Sequence, residues 1–165
     1  YGIGQGYLLA TPLEVNSWAQ IIANGGVLYQ HHILRDSGSK KKTSDFLSQK
    51  TIDPIKKGMI EACQPGGVAW PLFDFRVKNK ELRIDGKNFL EVASGSAEMR
   101  GVSIACKTGT AQHGGEKTLP HAWITLFAPA YDPQIVVTVL AESSGEGSNV
   151  AAPIAKEILT EYFSH

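Results

Sequence analysis

The stretch Lys107-Thr108-Gly109-Thr110 places a cation, two hydroxyls and a glycine between two apolar runs, one from Val102 to Ala105 and another beginning near Ala122. In a strand, side chains two apart share a face, so Thr108 and Thr110 point one way and Lys107 the other. A glycine inside a strand removes a side chain where another backbone lies close. The stretch therefore offers backbone hydrogen-bonding groups, two hydroxyls and a positive charge to an extended ligand that carries a carboxylate, and an acyl-peptide end has that chemistry. The plainer reading, a glycine-kinked edge strand with a solvated lysine, is not excluded by one tripeptide.

Other residues with chemical potential lack the company they need. Ser37-Gly38-Ser39-Lys40 has S-x-x-K spacing, but a nucleophilic serine needs a base held at hydrogen-bonding distance, and a polar loop does not hold one. The histidines, at 31, 32, 113, 121 and 165, form no HExxH pair, and Cys63 and Cys106 fit neither a zinc cluster nor a CxxC pair, so no metal is expected. Cys106 reads as a small core residue, because alternation turns it away from the face of Lys107 and no base stands beside it. His121, opening the strand after the polar link from Gln112 to Pro120, is expected near the Lys107 strand at the mouth of a groove; a structural histidine at a strand start is the blander reading. Gly2-Ile3-Gly4-Gln5-Gly6 has neither GxGxxG spacing nor a following GK[ST], which removes the phosphate-loop reading, and no cofactor is expected.

The balance of 16 basic and 16 acidic residues gives a net charge of +0, so nothing suggests nucleic acid or an anionic membrane surface. Lys40-Lys41-Lys42 reads as a solvated loop. At 165 residues and 42% apolar content the chain has one domain's worth of core-forming material. No apolar run reaches the length of a membrane span.

The elements that must position the Lys107 stretch are legible in outline. Thr11-Pro12-Leu13-Glu14 sets a capping box for a helix from Pro12 to Asn24, ended by Gly25-Gly26, with Leu13, Val15, Trp18, Ile21 and Ile22 as its apolar arc. A second helix is expected from Pro54 to Cys63 with Asp53 as cap. Pro65 to Phe75 is too aromatic for a disordered linker and should lie against the body of the protein. Val77 to Leu90 reads as hairpin or loop. Strands are expected over Val102 to Ala111, Ala122 to Phe127 and Ile135 to Ala141, with Asp132-Pro133 a turn, and together they suggest an antiparallel meander. A last helix over Val150 to Phe163, capped by Ser148 or Asn149, presents Ala151, Ala152, Ile154, Ala155, Ile158, Leu159 and Tyr162. The order argues for an α+β layer structure, an antiparallel sheet flanked by helices.

K-T-G is one of three motifs of penicillin-binding proteins and serine β-lactamases, beside S-x-x-K and S-x-N. The chain also carries YGIGQGYLLATPLE at Tyr1 to Glu14, His121-Ala122-Trp123, Phe127-Ala128-Pro129, Gly145-Glu146-Gly147-Ser148 and Ala152-Pro153-Ile154-Ala155. In this set and order it resembles the C-terminal half of the transpeptidase domain of a class B penicillin-binding protein, nearest the penicillin-binding protein 2 group. The resemblance implies the transpeptidase fold shared with serine β-lactamases, across residues 1–165, and acyl transfer from a D-Ala-D-Ala stem peptide through a serine. It implies that Lys107 supplies positive charge near the second-motif serine and the substrate carboxylate. Thr108 and Thr110 would bind that carboxylate across Gly109, and the Thr110 N–H would be an oxyanion donor.

The ligands implied are peptidoglycan stem peptides and β-lactams, the partners a cell-wall elongation machinery, and the location extracytoplasmic, anchored by a segment N-terminal to this chain. The sequence departs from the family in having no S-x-N, no S-x-x-K in a helical setting, and Val68 where a threonine is usual. The nucleophile and base are therefore expected upstream. The chain alone is expected to form no penicilloyl adduct and, with an uncovered apolar patch, to favour self-association. A non-catalytic β-lactam sensor or pseudo-enzyme of the same fold is the alternative, and the residues upstream of Tyr1 would discriminate the two.

Overall fold

The computed structural model describes residues 6, 8–34, 38, 40–43, 47–78, 99–115 and 117–165. In chain order they form α1 (Pro12–Ala23), β1 (Leu28–Tyr29), β2 (Lys41–Thr43), α2 (Gln49–Ala62), β3 (Arg76–Lys78), β4 (Met99–Gly101), β5 (Ala105–Ala111), β6 (His121–Ala128), β7 (Ile135–Ala141) and α3 (Ala152–Ser164). A 3-10 turn spans Trp70–Leu72 and a wide π-type turn spans Gly147–Ala151. The sequence readings at Ser37, Ser39 and most of Val77 to Leu90 lie outside the described residues.

β5, β6 and β7 make an antiparallel meander in that order, with Ala105 opposite Phe127 and Ala111 opposite His121. Alternation gives the sheet two faces, and each is covered by helix. On one, Ala105 and Phe127 pack with Ile22 of α1 and Ile52, Met59 and Ile60 of α2. On the other, Cys106, Ile124, Leu126, Val137 and Val139 pack with Ala155, Leu159 and Phe163 of α3 and with Leu72 and Phe75. This is the α+β architecture the strand order implies. β1 pairs with β2 and β3 with β4, each pair antiparallel.

The α1 start follows its sequence. Thr11 Oγ1 accepts the Glu14 amide at 3.3 Å while Glu14 Oε2 accepts the Thr11 amide at 2.7 Å, satisfying two orphan donors of the first turn. The Thr11 amide, then its hydroxyl, holds the Glu14 carboxyl below its ordinary pKa. The apolar arc is only partly packed: Ala19, Ile21 and Ile22 are buried, whereas Leu13 and Trp18 are 57% and 48% exposed. A helix lying on a sheet touches it along one stripe, and these two residues flank it.

Four expectations need correction. α2 begins at Gln49, with Ser48 as N-cap; the Thr51 and Ile52 amides donate to the Ser48 carbonyl at 2.9 and 3.0 Å. Asp53 caps nothing and instead accepts from Gln49 Nε2 at 2.6 Å. The extra turn puts Ile52, 1% exposed, in register with Met59 and Ile60, and the helix carries Pro54 inside it. The strand expected from Val102 begins at Ala105, because the Val102 amide donates to Phe75 O at 3.0 Å and Ser103 accepts the Ala130 amide on its carbonyl at 2.8 Å and its hydroxyl at 3.1 Å. Ser148 and Asn149 do not cap α3: they lie within the π-type turn, where the Asn149 and Val150 amides donate to Glu146 O. α3 buries Ala152, Ala155, Leu159 and Phe163, while Ile154, Ile158 and Tyr162 are exposed.

Candidate active site

Among the described residues β5 forms an edge of its sheet, and Lys107, Thr108, Gly109 and Thr110 stand opposite Thr125, Ile124, Trp123 and Ala122 of β6. Lys107 and Thr110 are exposed, and Thr108 and Gly109 are half-buried. Alternation puts Thr108 and Thr110 on the face of α3 and Lys107 on the face of α1 and α2. The Lys107 ammonium turns back onto the carbonyl of Thr108. Beyond Lys107 the same row continues in polar groups: Thr125 Oγ1 and Thr138 Oγ1 are 2.8 Å apart, and Asn16 Nδ2 donates to Thr138 Oγ1 at 3.3 Å. A hydrogen-bonded ladder from α1 thus crosses the sheet and ends beside the lysine.

Cys106, next to Lys107 and wholly buried, is bonded to Cys63 at the C-terminus of α2, with 5.9 Å between their Cα atoms. The core placement matches the alternation argument; the disulfide is new. It ties the lysine end of β5 to α2 and to the turn where the amides of Val68 and Ala69 donate to Ala62 O. Val68 itself is 55% exposed.

Close backbone approach at Gly109 occurs, though the glycine that permits it is a different one. A Cβ at 109 would stand 3.1 Å from Trp123 Cβ, a tight contact with a side chain. The backbone that closes on Gly109 belongs to Gly147, where a Cβ would lie 2.6 Å from Gly109 O and inside contact distance of Trp123 O. Only glycine fits there. The sequence reading missed it, since Gly145-Glu146-Gly147-Ser148 signals a turn and nothing about what the turn meets.

At the other end of β5, His121 stands opposite Ala111 and stacks on His113 with ring centroids 3.7 Å apart. Both histidines hydrogen-bond Ser143, whose φ of 48° is left-handed. Sequence spacing foresaw His121 near the strand but neither of its partners. A serine–histidine pair elsewhere does not make a nucleophile: Ser17 Oγ donates to Leu13 O at 2.9 Å, so it accepts from His31 Nε2 at 2.6 Å. Among the described residues no three His, Cys, Asp or Glu side chains gather as a metal site, and no helix is long and apolar enough to cross a membrane.

Residues 1–160 match the penicillin binding protein transpeptidase domain. The chain belongs to that family. It is 32% identical over 172 aligned residues to the peptidoglycan D,D-transpeptidase MrdA of Haemophilus influenzae, covering 99% of this chain and 25% of the relative. With the PbpA transpeptidase of Mycolicibacterium smegmatis it shares 34% over 161 residues, 93% of this chain and 29% of the relative. Among solved structures, penicillin-binding protein 2 of Helicobacter pylori superposes with a TM-score of 0.68 at 28% identity, over 98% of this chain and 25% of that one. The imipenem acyl-enzyme of Mycobacterium tuberculosis penicillin-binding protein A gives 0.64 at 27% identity, over 95% and 32%. The chain therefore has the transpeptidase fold of the penicillin-binding protein 2 type and spans about a quarter of the length of these curated relatives.

Proposed function

We propose that this chain is the KTG wall of a serine-type peptidoglycan D,D-transpeptidase, whose nucleophile comes from S-x-x-K and S-x-N segments outside residues 1–165. The observation that carries the reading is the exposed Lys107 and Thr110 on an edge strand in a chain of this family. An extended acyl peptide adds to such an edge by main-chain hydrogen bonds. The serine oxygen attacks the carbonyl carbon of the penultimate D-Ala and gives its proton to the base. The tetrahedral oxyanion is met by the Thr110 amide. The bond to the terminal D-Ala nitrogen then breaks, that amine takes up the proton, and an amine of a second stem peptide displaces the serine from the ester. Lys107 and the hydroxyls of Thr108 and Thr110 hold the terminal carboxylate.

A β-lactam acylates the same serine, a reading supported by the imipenem acyl-enzyme of the mycobacterial relative. A relative from Helicobacter pylori solved in complex with MreC supports a partner in the elongation machinery. The Cys63–Cys106 disulfide favours an oxidising, extracytoplasmic location. Leu8, Leu9 and Leu13, all exposed, support self-association of the chain by itself.

The test is the rate of labelling by a fluorescent penicillin in the whole protein that contains this chain. Lys107→Ala should slow acylation about a hundredfold, the order seen when an active-site electrostatic donor is removed, with thermal stability unchanged. Wild-type acylation by this variant would overturn the role given to the strand. Release of D-Ala from a pentapeptide separates the transpeptidase from a non-catalytic β-lactam sensor.

A further inference from the structure

The turn after β7 is held by one side of the β5–β6 hairpin. The Ser143 amide donates to His121 Nδ1 at 2.9 Å, and the next two amides, Ser144 and Gly145, donate to Pro120 O at 3.1 and 3.0 Å. Ser143 Oγ meets His113 Nε2 at 3.0 Å, and the two imidazoles stack within 3° of parallel. In that bond the His121 Nδ1 is the acceptor, a role a phenyl ring cannot fill. The acceptor matters because Ser143 sits at φ 48°, a conformation that a residue with a side chain keeps only when its surroundings enforce it.

From Ser143 the chain runs four residues to Gly147, which lies against the backbone of Gly109 and Trp123. Beyond Gly147 the path is anchored by Glu146 O and by buried Ala151 and Ala152. The His121–Ser143 bond is thus one of the polar fastenings, beside those to Pro120 O and His113, at the near end of a short segment whose middle presses on the substrate-docking strand.

We propose that His121 is a positioning residue for acyl transfer: its Nδ1 fixes the Ser143 turn and, through that turn, keeps Gly147 seated on the backbone of Gly109. The inference rests on β5 being the docking strand. In this role His121 acts through its contacts with Ser143 and His113, limiting movement of the strand whose amide and hydroxyls must meet the reacting acyl group, where small displacements cost rate.

The experiment measures fluorescent-penicillin acylation in the whole protein with two replacements of the same histidine. His121→Phe keeps a ring against His113 and loses the acceptor. His121→Asn loses the ring and offers its side-chain oxygen near the place of Nδ1. H121F should acylate about tenfold more slowly, the size expected for one hydrogen bond that matters in the transition state, and H121N should recover most of that loss. Adding Ser143→Gly, which removes the strain of the left-handed turn, should shrink the H121F defect. Equal rates in H121F and wild type, equal losses in H121F and H121N, or an H121F defect unaltered by S143G would each overturn the proposal. K107A in the same assay separates the two readings: a normal K107A rate condemns the docking strand itself, whereas a slow K107A with a normal H121F condemns only the role of His121.

Discussion

The two ends of β5 are held by different physics. At the lysine end, Cys106 is wholly buried and bonded to Cys63, inside a packed layer with Leu72, Phe75 and Leu126. At the far end the fastening is polar: stacked histidines, a strained serine turn and the glycine contact between 147 and 109. A covalent, apolar anchor resists everything short of reduction or unfolding. Hydrogen bonds at a surface are individually small and can be adjusted. The comparison teaches that the cation of the motif is carried on the rigid end, while the amide and hydroxyl of Thr110 lie nearer the end that polar contacts set.

The strongest way to break this comparison is to remove the covalent anchor. Cys63→Ala with Cys106→Ala should destabilise the fold by about 4 kcal/mol, the loop-closure value for a sequence separation of 43. Denaturant unfolding measures it, and a loss under about 1 kcal/mol would mean that packing alone holds the lysine end. Next in size is Gly147→Ala, which sets a methyl against Gly109 O and Trp123 O and should cost about 3 kcal/mol, with backbone movement visible as amide shifts in β5. An unperturbed Gly109 in that variant would show the π-type turn moving alone.

The smallest effect serves as a reference away from both ends. Thr11→Ala should cost about 1 kcal/mol through loss of the α1 cap. The Glu14 carboxyl is held below its ordinary pKa in the folded chain, so its stabilising contribution is complete above the unfolded value and disappears as pH falls through the folded one. Thermal melts between neutral pH and about pH 3 should show the gap between T11A and wild type narrowing without closing, because acid weakens the bond from the Thr11 hydroxyl to the Glu14 carboxylate while the Glu14 amide still donates to Thr11 Oγ1; a gap undiminished in acid would show that hydroxyl–carboxylate bond to be idle.

Legibility followed the range of the interactions. α1 was readable because Thr11, Pro12 and Glu14 cap it within four residues, and the meander because β5, β6 and β7 alternate and follow one another closely. α2 was misread where Asp53-Pro54 looks like a helix start, although Ile52, buried beneath α1, draws the preceding residues into the helix. The Val102 stretch differs from its sequence reading because its backbone bonds go to Phe75 and Ala130 rather than into the sheet ladder, while Val102 and Ile104 are buried in the same cluster as Phe75. Lys107, Thr108 and Thr110 are picked out by motif and alternation; on their strand Lys107 and Thr110 are exposed and Thr108 is half-buried.

By itself the sequence determined the family, the three-stranded meander and which face each residue of Lys107 to Thr110 takes, because strand periodicity and local capping depend on neighbours in the chain. It determined that Cys106 turns inward. Only the tertiary structure decided that Cys63 is its partner, that Gly147 rather than Gly109 is the glycine the close approach demands, and that His121 reaches Ser143. Each of these joins residues more than twenty positions apart, and the packing that brings them together depends on the volume and hydrogen bonds of whole layers, which no local spacing encodes.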